Sequence, residues 1–315
     1  MNTTVHKYTT LVPGTTIPLN VSTATNNYTI PRTMMQPNIT TLSPETAHAL
    51  ITIYVVVLVA GSVGLALMIR VLKANLHSWT TIALLNLIFA HLIFLLTVPF
   101  RIYYYATGFW YLTMSFCKLV SAMIHIHMYI VFVIYAVILT VHFLQYYKKM
   151  EQMVFDRMLH AMAASAGMWS ILIIVVPIIL KNYGNTKQQA YSCFDFHNEL
   201  ENQFTFVLNV FLSVGMVLVS IVLSYVLAII LHSVVRKHGR AFRAHQEFWA
   251  QMKHVSLMLI ILICLVPYQL FRLYYLRNAE RLKEHNEVFL AFTTLTCFDM
   301  LLLFSGKGIC QRCGV

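Results

Sequence analysis

The sequence contains few charged residues. Aspartate, glutamate, lysine and arginine together make up 10% of the 315 residues, whereas 59% are hydrophobic and the mean hydropathy is +0.70. Charged residues make up about 25% of an average soluble domain. Because so few charges do not cover a water-facing surface, this composition predicts that lipid surrounds most of the chain.

The patterns of several functional classes are also missing. The net charge is +11, but the basic residues form no stripe with interleaved aromatic residues, which argues against nucleic-acid binding. There is no His-Glu-x-x-His, no Gly-x-Ser-x-Gly and no glycine-rich phosphate loop, so we expect neither an enzyme nor a bound cofactor. The six dispersed cysteines indicate neither a disulfide-dense domain nor a zinc site. No catalytic residue and no metal ligand are therefore predicted.

Residues 1–46 form a polar segment that has no apolar run. The segment is rich in Thr, Asn and Pro and contains four Asn-x-Ser/Thr glycosylation sequons, which begin at Asn2, Asn20, Asn27 and Asn38. A single sequon arises easily by chance, but four in one polar segment indicate exposure to the glycosylation machinery. We therefore expect a glycosylated tail outside the cell.

Seven long apolar stretches follow this tail. Each is near or above about 20 residues, the length at which an α-helix crosses the hydrocarbon core, and only helices satisfy their own backbone hydrogen bonds in lipid at these lengths. The stretches are 47–72, 79–103, 114–147, 158–180, 203–232, 247–276 and 285–305. The sequence thus predicts an all-α bundle of seven transmembrane helices over residues 47–305, followed by a short cytoplasmic tail, residues 306–315.

The sequons and the basic loops together predict the orientation of the bundle. The most basic short run, residues 236–240, falls between the fifth and sixth stretches, and basic loops favour the cytoplasmic side. Counting the cations over all loops gives only a weak preference between the two sides. The orientation is therefore inferred mainly from the sequons. We expect a multi-pass protein of the plasma membrane, in contact with membrane lipids, with its N-terminus outside and its C-terminus inside.

This orientation separates the cysteines into two compartments. Cys117 and Cys193 fall outside, where disulfides form, so they are interpreted either as one bridge or as two unrelated thiols. Cys310 and Cys313 fall in the reducing cytosol. They are interpreted either as palmitoylation sites beneath the membrane or as plain free thiols.

Short motifs lie in or beside four of the apolar stretches. They are Trp110 seven residues before Cys117, Asn86–His91 followed by Val98-Pro99-Phe100, Trp169 with Pro177, and Cys264-Leu265-Val266-Pro267-Tyr268. With seven spans, these motifs resemble those of the rhodopsin-like (class A) G-protein-coupled receptors over residues 47–305. The resemblance implies a receptor fold, a Cys117–Cys193 bridge, an extracellular ligand of unknown identity and a heterotrimeric G protein as partner.

The sequence departs from that family at the positions of its switch chemistry. The helix-2 Asp is His91, the helix-3 Asp-Arg-Tyr reads Val141-His142-Phe143, the helix-6 Trp is Leu265, and the helix-7 Asn-Pro-x-x-Tyr reads Asp299-Met300-Leu301-Leu302-Leu303. The resemblance places His91 and Asp299 close together at mid-membrane, where a histidine partner offsets part of the cost of a carboxylate. We hypothesise that this pair replaces the family's sodium site.

Polar and aromatic residues gather near the outer ends of helices 2, 3 and 6. Steps of 3.6 residues from Cys117 give a face that includes Ser121 and His125 and should look into the bundle. On helix 6, Gln269 and Arg272 share a face, and a guanidinium forks two hydrogen bonds onto phosphate or carboxylate. The alternative is an interfacial arginine that reaches lipid headgroups. The hypothesis is a ligand pocket for which an anion is one candidate ligand. Its predicted residues are Arg101, Tyr104, Lys118, Ser121, His125, Gln269, Arg272 and Tyr275.

Three functions remain open from the sequence. A signalling receptor would use the inner helix ends, where the G-protein-facing residues are predicted to be His142, Tyr225, Arg236 and Lys253. Because a neutral histidine replaces the family's arginine at position 142, a non-signalling binder, decoy or partner subunit is the alternative. A transporter or channel is suggested by the intramembrane His and Asp, but no inverted repeat accompanies them.

Overall fold

The computed structural model describes residues 42–72, 79–148, 162–170, 193–194, 203–238, 246–279 and 281–301. The predicted glycosylation sites (Asn2, Asn20, Asn27 and Asn38) and palmitoylation sites (Cys310 and Cys313) lie outside these ranges. The described residues form helices joined by turns and bends, and no strand occurs among them. The prediction of an all-α fold is confirmed.

Seven helices, numbered in chain order, account for most of the described residues. They are α1, Pro44–Leu72; α2, Trp79–Thr107; α3, Met114–Lys148; α4, residues 162–170; α5, Gln203–His238; α6, which joins Gln246–Ile260, the π-helical turn Ile261–Leu265 and Val266–Tyr275; and α7, which joins Lys283–Thr293 to the 3₁₀ turn Thr294–Phe298. Within the described ranges, five helices (α1, α2, α3, α5 and α6) are long and apolar enough to cross a membrane.

The helix ends lie close to the predicted ones, with two extensions. α2 ends at Thr107 instead of residue 103, and α5 ends at His238 instead of residue 232. Hydropathy marks the end of the apolar residues, whereas a helix continues as long as its backbone hydrogen bonds do. In α5 the extension carries Arg236, Lys237 and His238, and basic residues are favourable at the negative end of the helix dipole.

The helices close into a ring around α3. α1 contacts α2 and α7, α2 contacts α3, α3 contacts α5, α5 contacts α6, and α6 contacts α7. α3 also contacts α6 and α7. The most apolar window of α3 is 61% buried, whereas that of α5 is 28% buried. α3 is therefore the central helix of the bundle, and α5 is the least buried of the five long apolar helices.

Two helices change their winding in the middle of the bundle. The π turn Ile261–Leu265 of α6 directly precedes Pro267, whose ring has no N–H to donate and crowds the preceding turn. In α7, the hydroxyls of Thr293, Thr294 and Thr296 each donate to the carbonyl three residues earlier, next to the 3₁₀ turn. The second change lies immediately before Asp299.

Hydrogen bonds join α1 and α7 at the end of the bundle that the sequence predicts to be extracellular, called the outer end below. The backbone N–H and the hydroxyl of Ser43 donate to the two carboxylate oxygens of Glu284 at 3.1 and 2.9 Å, and the Thr46 hydroxyl donates to the second oxygen at 3.2 Å. These bonds favour the ionised carboxylate, so they lower the pKa of Glu284. The start of α7 is thereby fixed to the start of α1.

Hydrogen bonds to the Asn86 side chain join α4 to α2. The Asn86 side-chain oxygen accepts hydrogen bonds from the Ser165 hydroxyl at 2.6 Å and from the Trp169 indole N–H at 2.9 Å. The Trp169 ring also packs edge-on against Phe89, with 4.8 Å between the ring centroids. The helix-2 and helix-4 motifs of the sequence therefore act as partners in the fold.

Close packing of α1 against α7 yields a stability prediction. A Cβ atom on Gly64 would come within 2.9 Å of the Met300 Cβ, which cannot rotate away, whereas a Cβ on Gly215 of α5 meets nothing within 4 Å. We predict that Gly64→Ala destabilises the protein by about 1–3 kcal/mol and that Gly215→Ala is neutral or slightly stabilising, because alanine is the better helix former. Thermal unfolding in detergent compares the two variants, and equal effects would contradict the packing.

Candidate functional site

A disulfide covers the outer end of the bundle. Cys117, at the start of α3, is bonded to Cys193, as the family resemblance implied. The backbone N–H of Cys193 donates to the Tyr104 hydroxyl at 3.4 Å, and the Phe194 ring lies 5.0 Å from the Tyr104 ring between centroids. The Cζ of Arg101 lies 4.4 Å from the centroid of Phe194. The residues beside the bridge are thus packed onto the outer part of α2.

Arg101 makes its contacts inside the bundle. Its side chain is 1% exposed, and its Nη2 donates to the carbonyl oxygens of Val120 and Ser121 at 3.2 and 3.3 Å. Its Nη1 lies 3.9 Å from the Glu287 carboxylate, which also accepts a 2.7 Å hydrogen bond from Tyr105. A buried guanidinium with a carboxylate and two carbonyls around it has its charge compensated by the protein. This geometry favours a structural role for Arg101 over ligand contact.

Arg272 belongs to a second cluster, which joins α6 to α3 and α5. Its Nη1 donates to the Tyr268 hydroxyl at 3.0 Å, and its Nη2 donates to the side-chain oxygen of Asn209. The Tyr268 oxygen lies 3.4 Å from His125 Nε2, and His125 Nδ1 lies 3.4 Å from the Ser121 carbonyl oxygen. Arg272 is half-buried and bonded to groups of the bundle, which argues against the alternative of a headgroup contact.

The hydrogen bonds of this cluster all have the same donor-to-acceptor order along the chain of residues. A carbonyl oxygen only accepts, so His125 Nδ1 carries the hydrogen and the neutral ring accepts at Nε2. The Tyr268 hydroxyl therefore donates to His125 and accepts from Arg272. The order Arg272, Tyr268, His125, Ser121 is a chain of hydrogen bonds that runs from α6 to α3.

The remaining residues of the predicted pocket are dispersed. Gln269 is fully buried, accepts a 2.9 Å hydrogen bond from Ser213 and directs its NH₂ to the Met128 sulfur at 3.2 Å. It therefore ties α6 to α5 and α3 within the core. Tyr275 is buried and Lys118 is half-buried at the outer end of α3. Of the eight predicted residues, His125 and Arg272 are linked through Tyr268, while Arg101 and His125 meet at the Ser121 carbonyl.

The predicted core pair is brought together at the centre of the bundle. His91 Nε2 lies 3.2 Å from Oδ2 of Asp299, and the Tyr135 hydroxyl donates to the same oxygen. The three side chains come from α2, α3 and the segment that follows the 3₁₀ turn of α7. All three are at most 1% exposed.

Two further side chains of this core were missed by sequence reasoning. His127 Nε2 lies 2.8 Å from His91 Nδ1, and the Cys297 sulfur lies 3.4 Å from His91 Nδ1 and 3.9 Å from His127 Nε2. The helix-3 face that was predicted in steps of 3.6 residues from Cys117 includes His125 but not His127. The available signal was spacing, because His127 lies eight residues before Tyr135 and shares its face of a helix. Metal ligands were not predicted, yet this trio has the donor types of a metal site.

Contacts at the opposite end of the bundle, predicted to be cytoplasmic and called the inner end, join α3 to α6 and α5. His142 Nε2 lies 2.8 Å from the side-chain oxygen of Gln251, and the His142 ring stacks on His254 with 3.7 Å between centroids. Because the amide oxygen accepts, His142 Nε2 carries the hydrogen. The Tyr146 hydroxyl donates to Ser233 at 3.2 Å. Among the described residues, a hydrogen bond and a ring stack therefore hold this end of α6 to α3.

Comparison with known proteins decides the family. The family model of the seven-transmembrane receptors of the rhodopsin family matches residues 62–301. This chain belongs to that family. It is a G-protein-coupled receptor and a multi-pass membrane protein, as its sequence motifs indicated.

The similar proteins include receptors with different names. The human protein named Probable G-protein coupled receptor 141 is 40% identical over 273 residues, which are 84% of this receptor and 90% of that protein. The mouse Probable G-protein coupled receptor 34 is 24% identical over 290 residues, 85% and 77% of the two chains. The mouse 2-oxoglutarate receptor 1 is 22% identical over 237 residues, 70% and 66% of the two chains.

The four residues predicted to face a G protein differ in their burial and in their positions along the helices. His142 is half-buried between Gln251 and its neighbours, Lys253 is half-buried on α6, and Arg236 is exposed at the inner end of α5. Tyr225 is 68% exposed within the apolar span of α5, so its ring points away from the bundle and is not brought to His142. The prediction of a G-protein contact therefore stays with His142 on α3, Arg236 on α5 and Lys253 on α6.

Proposed function

We propose that this receptor lies in the plasma membrane with its glycosylated tail outside, recognises an anionic ligand near Arg272, and passes the signal to a G protein through α6. The observation that carries the proposal is the hydrogen-bond chain from Arg272 through Tyr268 to His125. It connects a cation in the outer part of α6 with the central helix. Four sequons in the tail support the orientation.

An anion suits this cluster for a chemical reason. A guanidinium binds a carboxylate or phosphate through two parallel charge-assisted hydrogen bonds, which are stronger than its bonds to neutral oxygens. Tyr268 and Asn209 are neutral acceptors for Arg272, and a ligand carboxylate or phosphate would compete with them for the guanidinium. The name of the similar mouse 2-oxoglutarate receptor 1 denotes a dicarboxylate ligand for that protein, which is consistent with an anion in this group of receptors.

Loss of the Arg272–Tyr268 hydrogen bond on ligand binding would also affect the inner end of the receptor. Tyr268 follows Pro267 and the π turn, and such interruptions are where helices bend. A ligand that takes Arg272 away from Tyr268 removes one link between the outer half of α6 and α3. On the other side of the bend, α6 is held by the His142–Gln251 hydrogen bond. A change in the bend would therefore act on the contact that closes the inner surface.

The ligand site is tested by a binding and signalling screen of acidic lipids, nucleotides and small dicarboxylates on cells that express the receptor. We predict that Arg272→Gln weakens the response to an active anion at least about tenfold, because a hydrogen bond to a charged group contributes about 1.5–3 kcal/mol. The matched control is Arg277→Gln, whose side chain is exposed just beyond α6. It removes the same charge and should leave the response unchanged.

Surface expression of both arginine variants, measured by antibody staining of the N-terminal tail on intact cells, separates lost binding from lost folding. A response that Arg272→Gln and Arg277→Gln reduce equally, at equal surface expression, would contradict recognition at Arg272. An active ligand that carries no negative charge would contradict the anion class.

Coupling to a G protein is tested at position 142. His142→Arg restores the family's arginine and loses the stack on His254, so we predict a severalfold rise in basal G-protein activation. The matched control is His232→Arg, which adds the same charge at an exposed position near the inner end of α5 and should leave basal activation unchanged. Nucleotide exchange on a panel of purified G proteins measures both variants beside the unmodified receptor.

The second candidate function, a non-signalling binder or partner subunit, is favoured by one observation. His142 is engaged by Gln251 and His254, and a neutral side chain stands where relatives have a cation. No exchange on any G protein, with or without His142→Arg and with normal surface expression, would support that function against the signalling one.

A further inference from the structure

The core of the bundle contains three metal-ligand side chains from three helices. They are His91 of α2, His127 of α3 and Cys297 of α7. One ring nitrogen of each histidine and the cysteine sulfur lie within 4.8 Å of one another, and all three side chains are buried. We propose that these residues bind a zinc ion that bridges the three helices. This proposal is independent of the extracellular ligand and of G-protein coupling.

The separations between the donor atoms fit tetrahedral zinc. Zinc bonds of about 2.0–2.1 Å to nitrogen and about 2.3 Å to sulfur put two nitrogens about 3.3 Å apart and a nitrogen and a sulfur about 3.6 Å apart. The observed distances are 2.8 Å between His91 Nδ1 and His127 Nε2, and 3.4 and 3.9 Å from Cys297 Sγ to these two nitrogens. Each ligand atom therefore needs to shift by only about half an ångström. Three protein ligands leave the fourth position of the ion to water.

One of the two proposed histidine ligands, His91, has the outer partner that orients a zinc histidine, whereas Nδ1 of His127 is buried with no hydrogen-bond partner among the described residues. A histidine that binds zinc through one nitrogen donates its other N–H to a carboxylate or carbonyl, which fixes the tautomer. His91 directs Nδ1 to the cluster and Nε2 to Oδ2 of Asp299 at 3.2 Å. The Tyr135 hydroxyl donates to that same oxygen and so holds the carboxylate in position. Asp299 thus acts as a positioning residue for His91.

Charge balance and donor chemistry select zinc over the alkali and alkaline-earth cations. When Cys297 binds zinc, it releases its proton to solvent and becomes a thiolate. The two positive charges of zinc then equal the negative charges of the Cys297 thiolate and the Asp299 carboxylate. A neutral assembly is what a lipid-embedded core tolerates best. Imidazole nitrogen and thiolate sulfur suit zinc, whereas sodium and magnesium prefer oxygen ligands.

The experiment uses the purified full-length receptor in detergent with Cys264, Cys310 and Cys313 all replaced by serine. The sequence has six cysteines, and two form the Cys117–Cys193 disulfide, so Cys297 is then the remaining thiol. After chelation, we expect zinc chloride to bind at one ion per chain and to raise the melting temperature by about 5 °C or more at saturation. Sodium and magnesium chloride should not reproduce this shift.

Cobalt provides a second measurement that needs no change at the site. Cobalt(II) in place of zinc should give the visible bands of a tetrahedral ion and an ultraviolet charge-transfer band from a cysteine thiolate, which can come only from Cys297. His127→Asn should abolish the zinc shift, whereas His48→Asn, at an exposed position on α1, should leave it unchanged. Absence of the thiolate band in the folded receptor, or a zinc shift that survives both His127→Asn and Cys297→Ser, would overturn the proposal.

Discussion

A polar group inside a membrane-embedded bundle has no water to bind, so a neighbouring helix must satisfy it. The carboxylate of Asp299 imposes this condition most strongly, because it is fully buried at the point where α2, α3 and α7 meet. His91 and Tyr135 meet it at one of the two carboxylate oxygens, Oδ2, from two different helices, whereas Oδ1 is buried with no hydrogen-bond partner among the described residues. The position of each of these helices is thereby tied to the other two, and the irregular winding of α7 just before Asp299 lies within the same contact.

The same condition organises both ends of the receptor around α3. At the outer end, carbonyls of α3 accept from Arg101, and His125 on the same helix links to the Tyr268–Arg272 pair on α6. At the inner end, His142 of α3 meets Gln251 of α6. α6 therefore contacts the central helix on both sides of its π turn and proline. This arrangement gives the outer cluster a physical route to the inner surface, through one helix that bends in the middle.

The spans, the family and the disulfide were predictable because they depend on local composition and on motifs at fixed spacing. The individual roles of the polar residues were less predictable. Arg101 and Gln269 carry groups that suit a ligand, yet their partners are Glu287 and Ser213, which lie 186 and 56 positions away along the chain. His127 was missed because its significance arises only when α2 and α7 place His91 and Cys297 beside it. Sequence identifies which groups are costly in lipid, whereas the packing of helices determines which partner offsets the cost.

The dependence of the bundle on the Asp299 carboxylate is measured most directly by a double-mutant cycle in the chelator-treated receptor. Tyr135→Phe, Asp299→Asn and the double variant are compared by their free energies of unfolding. The control cycle uses Tyr129→Phe, since the Tyr129 hydroxyl is buried with no hydrogen-bond partner among the described residues. We predict a coupling energy of about 1–3 kcal/mol between Tyr135 and Asp299 and none in the control cycle. Additive effects in both cycles would contradict it.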